Sequence, residues 1–490
     1  MAATENKDSY KSLISEWDAF IRQGQLHRAA DQIRKFNFQQ IPRESRTALA
    51  NVCRRAGLIG HGLKVLQPLV RQLGPSVDKP ATQEETCEYA ALLMRNGSLA
   101  EAMNLLAGID GERLPLSLLY RGFCHVSSWD YEAAAPLFEA LLKSEIDDYS
   151  KLIALVNLGA SLSAIDRRQE AMEIINRAIV AATKVQAQRL IGNCLEIRAQ
   201  IYMSQNAFAE AKKDLRQAHE MFDKNKNYDL LLISKNLAFI QALEEKSLEP
   251  IHKFKAEAMA RKHWESVREA DFFSLKIRFD QKLFDHLIVG SPLPGYRKRA
   301  LKQLPHEPSD YCLLGKEGSR CLDLENGHSN SDTGLNPGKK VHAVLAALVA
   351  DFYAPRNSGS LFANLYPDEY FDIGSSPNRV RQAIYRARSW LSEQDIPAEI
   401  HQDDGDYRFE IQGDFSLRIS YAKPDLQSEA IRFLEMKKAL PPGQPFTIGD
   451  ACALLNISRS TFHRLAEYGL KNGLLRRVGV KRSTSYVLEP

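Results

Sequence analysis

The stretch SSPNRVRQAIYRARSW, residues 375–390, carries Arg379, Arg381, Arg386 and Arg388, with no acid until Glu393. Guanidinium groups at that density can pair with local carboxylates on a solvated helix face, and Asp368, Glu369, Glu393 and Asp395 are available. They can instead meet a polyanion, since each offers a planar fork to phosphate oxygens. The spacing favours the second use. At about 100° per residue, Val380, Ile384, Ala387 and Leu391 share one narrow stripe, which is a core-facing seam. Gln382, Tyr385, Arg386 and Ser389 fall opposite, with Arg379 beside Arg386 on one flank and Arg381 and Arg388 on the other. Ser376 suits an N-cap and Pro377 the first helical position.

A second pattern of this kind lies near the end of the chain. RSTFHRLAEYGLKNGLL follows Ser458, an N-cap candidate. Phe462 and Leu465 point inward, and Ser460, His463, Arg464 and Glu467 point outward. LLRRVGVKRSTSYVL then reads as strand, turn, strand with Lys481 and Arg482 at the tip. His463 has no second His or Cys at metal spacing, so it reads as a hydrogen-bonding surface group.

Other chemistry is missing from the sequence. There is no H-E-x-x-H, G-x-S-x-G or G-x-G-x-x-G. GLNPGKK at 334–340 is one residue short of a phosphate loop and lacks its hydroxyl residue. The seven cysteines (Cys53, Cys87, Cys124, Cys194, Cys312, Cys321 and Cys452) show no CxxC spacing, which argues against a zinc site and a disulfide framework. No enzyme, metal or cofactor is expected. The first residues carry no apolar signal core, and the longest apolar stretch, AVLAALVADFYA, is too short to span a bilayer. The net charge of +4 over 490 residues does not itself point to nucleic acid. Its distribution is more telling: residues 309–420 hold eleven Lys/Arg against seventeen Asp/Glu, and 421–490 hold eleven against six.

The elements that would position these residues begin with a repeat. Small residues recur twelve apart as Ala50/Gly62, Ala90/Ala102, Gly122/Ala134, Gly159/Ala171 and Ala199/Ala211. Four residues after each second member comes Leu66, Leu106, Phe138, Ile175 or Leu215. Twelve residues is the offset between two helices of a hairpin at their closest approach, and small residues there let the backbones come together. The pattern resembles the tetratricopeptide repeat (TPR). Trp17 to Phe36 looks like a degenerate first unit, and Asn236 to Phe254, through Pro250, a degenerate last one. The resemblance implies a superhelical array with a groove for a protein or peptide. GSPLPGYRKRALKQLPHEP, with its Pro/Gly punctuation, reads as a boundary.

After the boundary come two strand-like runs, YCLLG and RCLDL, expected to be joined by the turn KEGS. A helix over 339–353, a shorter helix in SGSLFANLYPDEYFD, and the arginine-bearing helix follow, and AEIHQDDGDYRFEI reads as a closing hairpin. On LFANLYPDEY, VRQAIYRARSWL and DGDYRFEI, this segment resembles the OmpR/PhoB-type winged helix of bacterial transcriptional activators. The resemblance implies that the third helix enters the major groove and the hairpin touches the adjacent backbone. Asp403, Asp404 and Asp406 at the hairpin tip would repel phosphate, so this wing either stays off DNA or contacts protein. The last segment, with SEAIRFLEMKKAL as first helix and a capping-box-like Thr447 and Asp450, resembles the winged helix of small bacterial repressors.

The expected fold is mainly α: a TPR-like α-solenoid over 1–290, a linker over 291–308, an OmpR/PhoB-like α+β winged helix over 309–420 and a second over 421–490. The expected function is a cytoplasmic transcription regulator of bacterial type. Its partners would be double-stranded DNA and a protein or peptide in the groove, with no membrane and with homo-oligomerisation left open. The competing expectation is a PCI-like scaffold subunit whose winged helices pack on other proteins. Candidate DNA contacts are Arg379, Arg381, Gln382, Tyr385, Arg386, Arg388, Ser389, Ser460, His463, Arg464, Lys481 and Arg482.

Overall fold

Small residues at fixed spacing dictate most of the architecture. A computed structural model of the chain describes residues 2–22, 25–38, 41–73, 79–222, 227–316, 320–325, 327, 334–421, 436, 440, 443–455, 457, 459–471, 473–479 and 485–488. The fold is mainly α. Its first part is a run of helix hairpins: α1 (Ala2–Arg22) with α2 (Leu26–Lys35), α3 (Arg43–Arg55) with α4 (Ile59–Val70), α5 (Gln83–Arg95) with α6 (Leu99–Ala107), and α7 (Leu116–Ser127) with α8 (Tyr131–Lys143). It continues with α9 (Asp148–Ala164) and α10 (Arg168–Lys184), α11 (Gln188–Ser204) and α12 (Phe208–Met221), α13 (Asn227–Glu245) and α14 (Glu249–Ala260), and α15 (Trp264–Ile277) and α16 (Gln281–Val289).

All five pairs of small residues are buried where the two helices of a hairpin meet. A Cβ on Gly122 would lie 2.5 Å from the Phe138 ring, and one on Gly159 would lie 2.4 Å from Ile175 Cδ1. Phe138 and Ile175 are the large residues of the repeat, and they occupy the volume each glycine leaves. The degenerate first unit is also a hairpin, with Trp17 buried and its ring 5.3 Å from that of Phe36.

Residues 291–308, read from sequence as a linker, contain helix α17 (Pro294–Gln303), with Tyr296 and Ala300 buried. This helix reaches back along the array. The Tyr296 ring lies 4.7 Å from Trp129, Lys298 pairs with Glu132 at 2.9 Å, and Lys302 pairs with Asp166 at 2.7 Å.

The next segment holds β1 (Tyr311–Gly315), β2 (Arg320–Asp323), α18 (Lys340–Leu348), α19 (Ser358–Leu365), α20 (Ser376–Glu393), the hairpin β3 (Ala398–Asp403) and β4 (Asp406–Ile411), and β5 (Phe415–Ser420). The two early strands do not pair with each other as expected. Both pair with β5, β1 antiparallel and β2 parallel, giving the order β1-β5-β2. The turn residues 317–319 lie outside the described residues. Helix α18 stops at Leu348 rather than Tyr353, because Asp351 leaves the helix and its carboxylate accepts from the backbone N–H groups of Tyr353 and Ala354. The tip of the β3–β4 hairpin is a two-residue turn with Asp404 at φ 50° and Gly405 at φ 88°, the doubly left-handed geometry that twisted strands favour.

Residues 1–421 form one compact unit. One hydrophobic core joins the first hairpins, through residues such as Leu66 and Leu92, to Phe371, Val380 and Ile384 of this segment. A second core runs along the later hairpins and takes in Tyr353. Residues 422–490 form a second unit. Its described elements are β6 (Pro445–Phe446), α21 (Ile448–Leu455), α22 (Arg459–Lys471), β7 (Leu475–Val478) and β8 (Ser485–Leu488), with sheet order β6-β8-β7. Phe446, Phe462, Leu475 and Tyr486 build its core.

Candidate nucleic-acid interface

Helix α20 is seated by its apolar stripe: Val380, Ile384, Ala387 and Leu391 are all buried, as is Ala383. Its start differs from the expected cap. Ser376 lies inside the helix, and its hydroxyl accepts from the Asp372 backbone N–H. Asp372 does the capping work instead, its carboxylate accepting from the backbone N–H of Ser375 at 2.6 Å. Burial pushes that carboxyl up, but hydrogen bonds from Ser375 and Gln67 outweigh it and hold the group below its usual range. Just past the other end, Arg320 donates to the carbonyls of Gln394 and Asp395.

The four arginines divide into two pairs. The Arg379 guanidinium lies 3.9 Å from the centre of the Tyr366 ring and donates to Glu369 at 2.8 Å, which is the local pairing the sequence allowed. Arg388 donates twice to the Ile400 carbonyl, at 2.9 and 2.6 Å, and so stitches the helix to β3. Arg381 and Arg386 have no hydrogen bond or ion pair among the described residues. They are exposed together with Gln382 and with Tyr385, which is 71% exposed, while Ser389 is half-buried. The open part of the outer face is therefore Arg381, Gln382, Tyr385 and Arg386.

The hairpin beside this helix does not project freely, which corrects the geometry implied by the OmpR/PhoB resemblance. Asp403 pairs with Lys262, between α14 and α15, and the Arg408 guanidinium lies 5.0 Å from the centre of the Trp264 ring. The acidic tip faces a lysine of the array. Burial and the neighbouring Asp404 and Asp403 raise the Asp406 carboxyl. Of the two courses open to this wing, the structure takes protein contact.

In the second unit, Phe462 and Leu465 are buried, and His463, Arg464 and Glu467 are exposed on α22. Thr447 and Asp450 make the reciprocal cap: the Thr447 N–H donates to the Asp450 carboxylate at 2.8 Å, and the Asp450 N–H to the Thr447 hydroxyl at 3.3 Å. Lys481 and Arg482, the side chain of Ser460, and most of the first helix lie outside the described residues.

Sequence reasoning missed the residues that fix the 309–421 segment to the array. The Gln67 side chain accepts from the Ile373 N–H at 3.0 Å, and Glu101 accepts from the Phe371 N–H at 2.8 Å. Arg268, 2% exposed on α15, donates to both oxygens of Asp351 at 2.8 and 2.7 Å. The Tyr353 hydroxyl reaches Asp271 at 3.0 Å. These partners lie tens to hundreds of residues apart, with no local pattern to mark them. The buried thiols of Cys53, Cys87, Cys124 and Cys194 are each pushed up to about 12, chiefly by burial, which suits packing rather than reactivity. Among the described residues, no helix is long and apolar enough to cross a membrane.

No family model and no curated protein matches the chain. Among solved structures, it is similar to the apo form of RapI at 12% identity and a TM-score of 0.38, over 57% of this chain and 85% of that one. A likeness at that level fixes neither mechanism nor partner. The chain's own coordinates show a mainly α, helical-repeat protein.

Proposed function

We propose that this chain is a non-enzymatic, DNA-binding transcription regulator. Its helical array takes a protein or peptide partner, and its two winged-helix modules, the first of OmpR/PhoB type, hold duplex DNA. The observation that carries the reading is α20: a fully buried seam beneath an outer face on which Arg381, Gln382, Tyr385 and Arg386 stay exposed. Such a helix offers cations to phosphates, and a Gln and an Arg able to pair bidentately with adenine or guanine edges. Because the wing stays with the array, α20 and the exposed face of α22 are the contacts to expect, without the first hairpin.

The docked wing also favours the scaffold reading, in which such modules pack on protein. Fluorescence anisotropy of the full chain against random duplex at two salt concentrations separates them. A regulator binds with log affinity falling by about 0.9 per neutralised phosphate for each decade of salt. No binding at low salt sinks the regulator and leaves the scaffold.

A further inference from the structure

The GLNPGKK stretch ends at Lys340, the first residue of α18, and the fold brings that lysine to the side of α20 that carries Arg379. Lys340 Nζ lies 3.9 Å from the centre of the Tyr366 ring. The Arg379 guanidinium lies 3.9 Å from the same centre, so the two charges are within twice that distance of each other. The buried Phe362 ring packs 4.9 Å from Tyr366 and holds this platform in place.

Charge does not balance at this edge. Among the described residues, Glu369 is the one carboxylate in contact with Lys340, Arg379 or Arg386, and it is already bound to Arg379 at 2.8 Å. Lys340 donates only to a neutral acceptor, the Leu365 carbonyl, at 3.1 Å. Burial first, and the neighbouring Arg379 and Arg386 after it, hold the Lys340 ammonium below its ordinary range, and Glu369 opposes them only in part. Three cations with one acid among them are offset best by an anion from outside. The opposite flank of α20 offers no such edge. There Arg388 is bound to the Ile400 carbonyl, and the acidic hairpin is held by Lys262 and Trp264 of the array.

We propose that Lys340, backed by Arg379, seats a backbone phosphate of the duplex, so that the start of α18 grips the DNA in place of the docked hairpin. The inference rests on the regulator reading and deepens it, adding α18 as a contact and setting the duplex across its first residue. Such a contact fixes register and carries no base preference, which leaves Gln382 and Arg386 to reach base edges.

The test is the salt dependence of random-duplex binding by the full chain, read by fluorescence anisotropy. Lys340→Gln should lower the slope of log affinity against log salt by about 0.9, the loss of one phosphate contact, and Lys340→Arg should keep the native slope. Lys262→Gln, on the hairpin side, should leave the slope unchanged. A native slope in Lys340→Gln, or an equal fall in Lys262→Gln, overturns the proposal. Amine acetylation of the native chain reads the same contact without a variant: duplex should protect Lys340 and leave Lys262 as reactive as before. If Lys340→Gln does not fold, a Lys340 that duplex leaves unprotected overturns the proposal on its own. Flotation with phosphatidylglycerol vesicles separates the two sources of phosphate. Vesicle binding that Lys340→Gln abolishes, by a chain that takes no duplex, assigns the cluster to a lipid surface and overturns the proposal. Duplex binding in which Lys340 has no part loses this inference and keeps the regulator reading; no duplex binding at low salt removes both.

Discussion

The segments 309–421 and 422–490 differ in what holds them. The 309–421 module is fastened to the array by buried charge, Arg268 on Asp351 and Tyr353 on Asp271, and shares both of the array's large cores. The described core of the 422–490 module is built from its own residues. A module fastened by a buried ion pair responds to movement of the array, because a shift of either side strands a charge in low dielectric. A module with its own core keeps its fold without borrowing residues from the array. On the regulator reading, the first would supply responsiveness and the second a constant share of affinity.

The largest expected effect strikes that fastening. Arg268→Met leaves Asp351 buried without its cation and should cost residues 1–421 about 3–5 kcal/mol. Calorimetry should show the transition of the large unit falling while that of 422–490 stays in place. Adding Asp351→Asn should recover part of the loss, since it removes the stranded charge while its amide oxygen can still accept from the Tyr353 and Ala354 N–H groups. If Arg268→Met moves both transitions together, the contrast between the modules fails.

A smaller effect compares the two candidate reading helices. Alanine at Arg386 and Gln382 should cost roughly 1–3 kcal/mol of base discrimination if both reach base edges. Arg464→Ala should weaken all sequences alike and lower the salt slope by about 0.9 if it meets a phosphate. Selection from randomised duplexes checks both. An unchanged operator preference after Arg386→Ala and Gln382→Ala removes the assignment of that face.

Local patterns were the legible part of the sequence. Small residues twelve apart marked five hairpins, because close helix approach tolerates nothing larger, as the Phe138 ring against Gly122 shows. The α20 seam was equally legible, because Val380, Ile384, Ala387 and Leu391 obey one period. Pairing that depends on distant chain was not legible. Nothing in YCLLG or RCLDL says that each needs FSLRIS, about a hundred residues on, rather than the other. The linker reading of 291–308 failed for the same reason: Pro and Gly mark breaks, but Gly295 is there because a Cβ would lie 2.0 Å from the Trp129 carbonyl oxygen. The arginines divided between protein and solvent according to Glu369 and the Ile400 carbonyl, and only the fold brings the Ile400 carbonyl to Arg388.

The smallest effect probes the same junction by pH. The His286 ring lies on α16, 5.0 Å from Phe352 and 5.3 Å from Tyr353. Burial lowers its pKa from the ordinary 6.5, and Lys255 adds to the shift while Asp271 opposes it. The unfolded chain takes up a proton near about 6.5, whereas the folded chain keeps the ring neutral to lower pH. Its contribution is therefore present above that value and is lost as pH falls through the lowered one. His286→Gln cannot take up that proton. Between about pH 7.5 and 5 the melting temperature of the large unit should fall less in the variant than in the native chain, with His61 and His263 unchanged in both. The 422–490 transition should respond identically in the two proteins. Parallel curves for the large unit would mean that the ring meets solvent, and that the packing of α16 on Phe352 and Tyr353 is looser than the ring contacts imply.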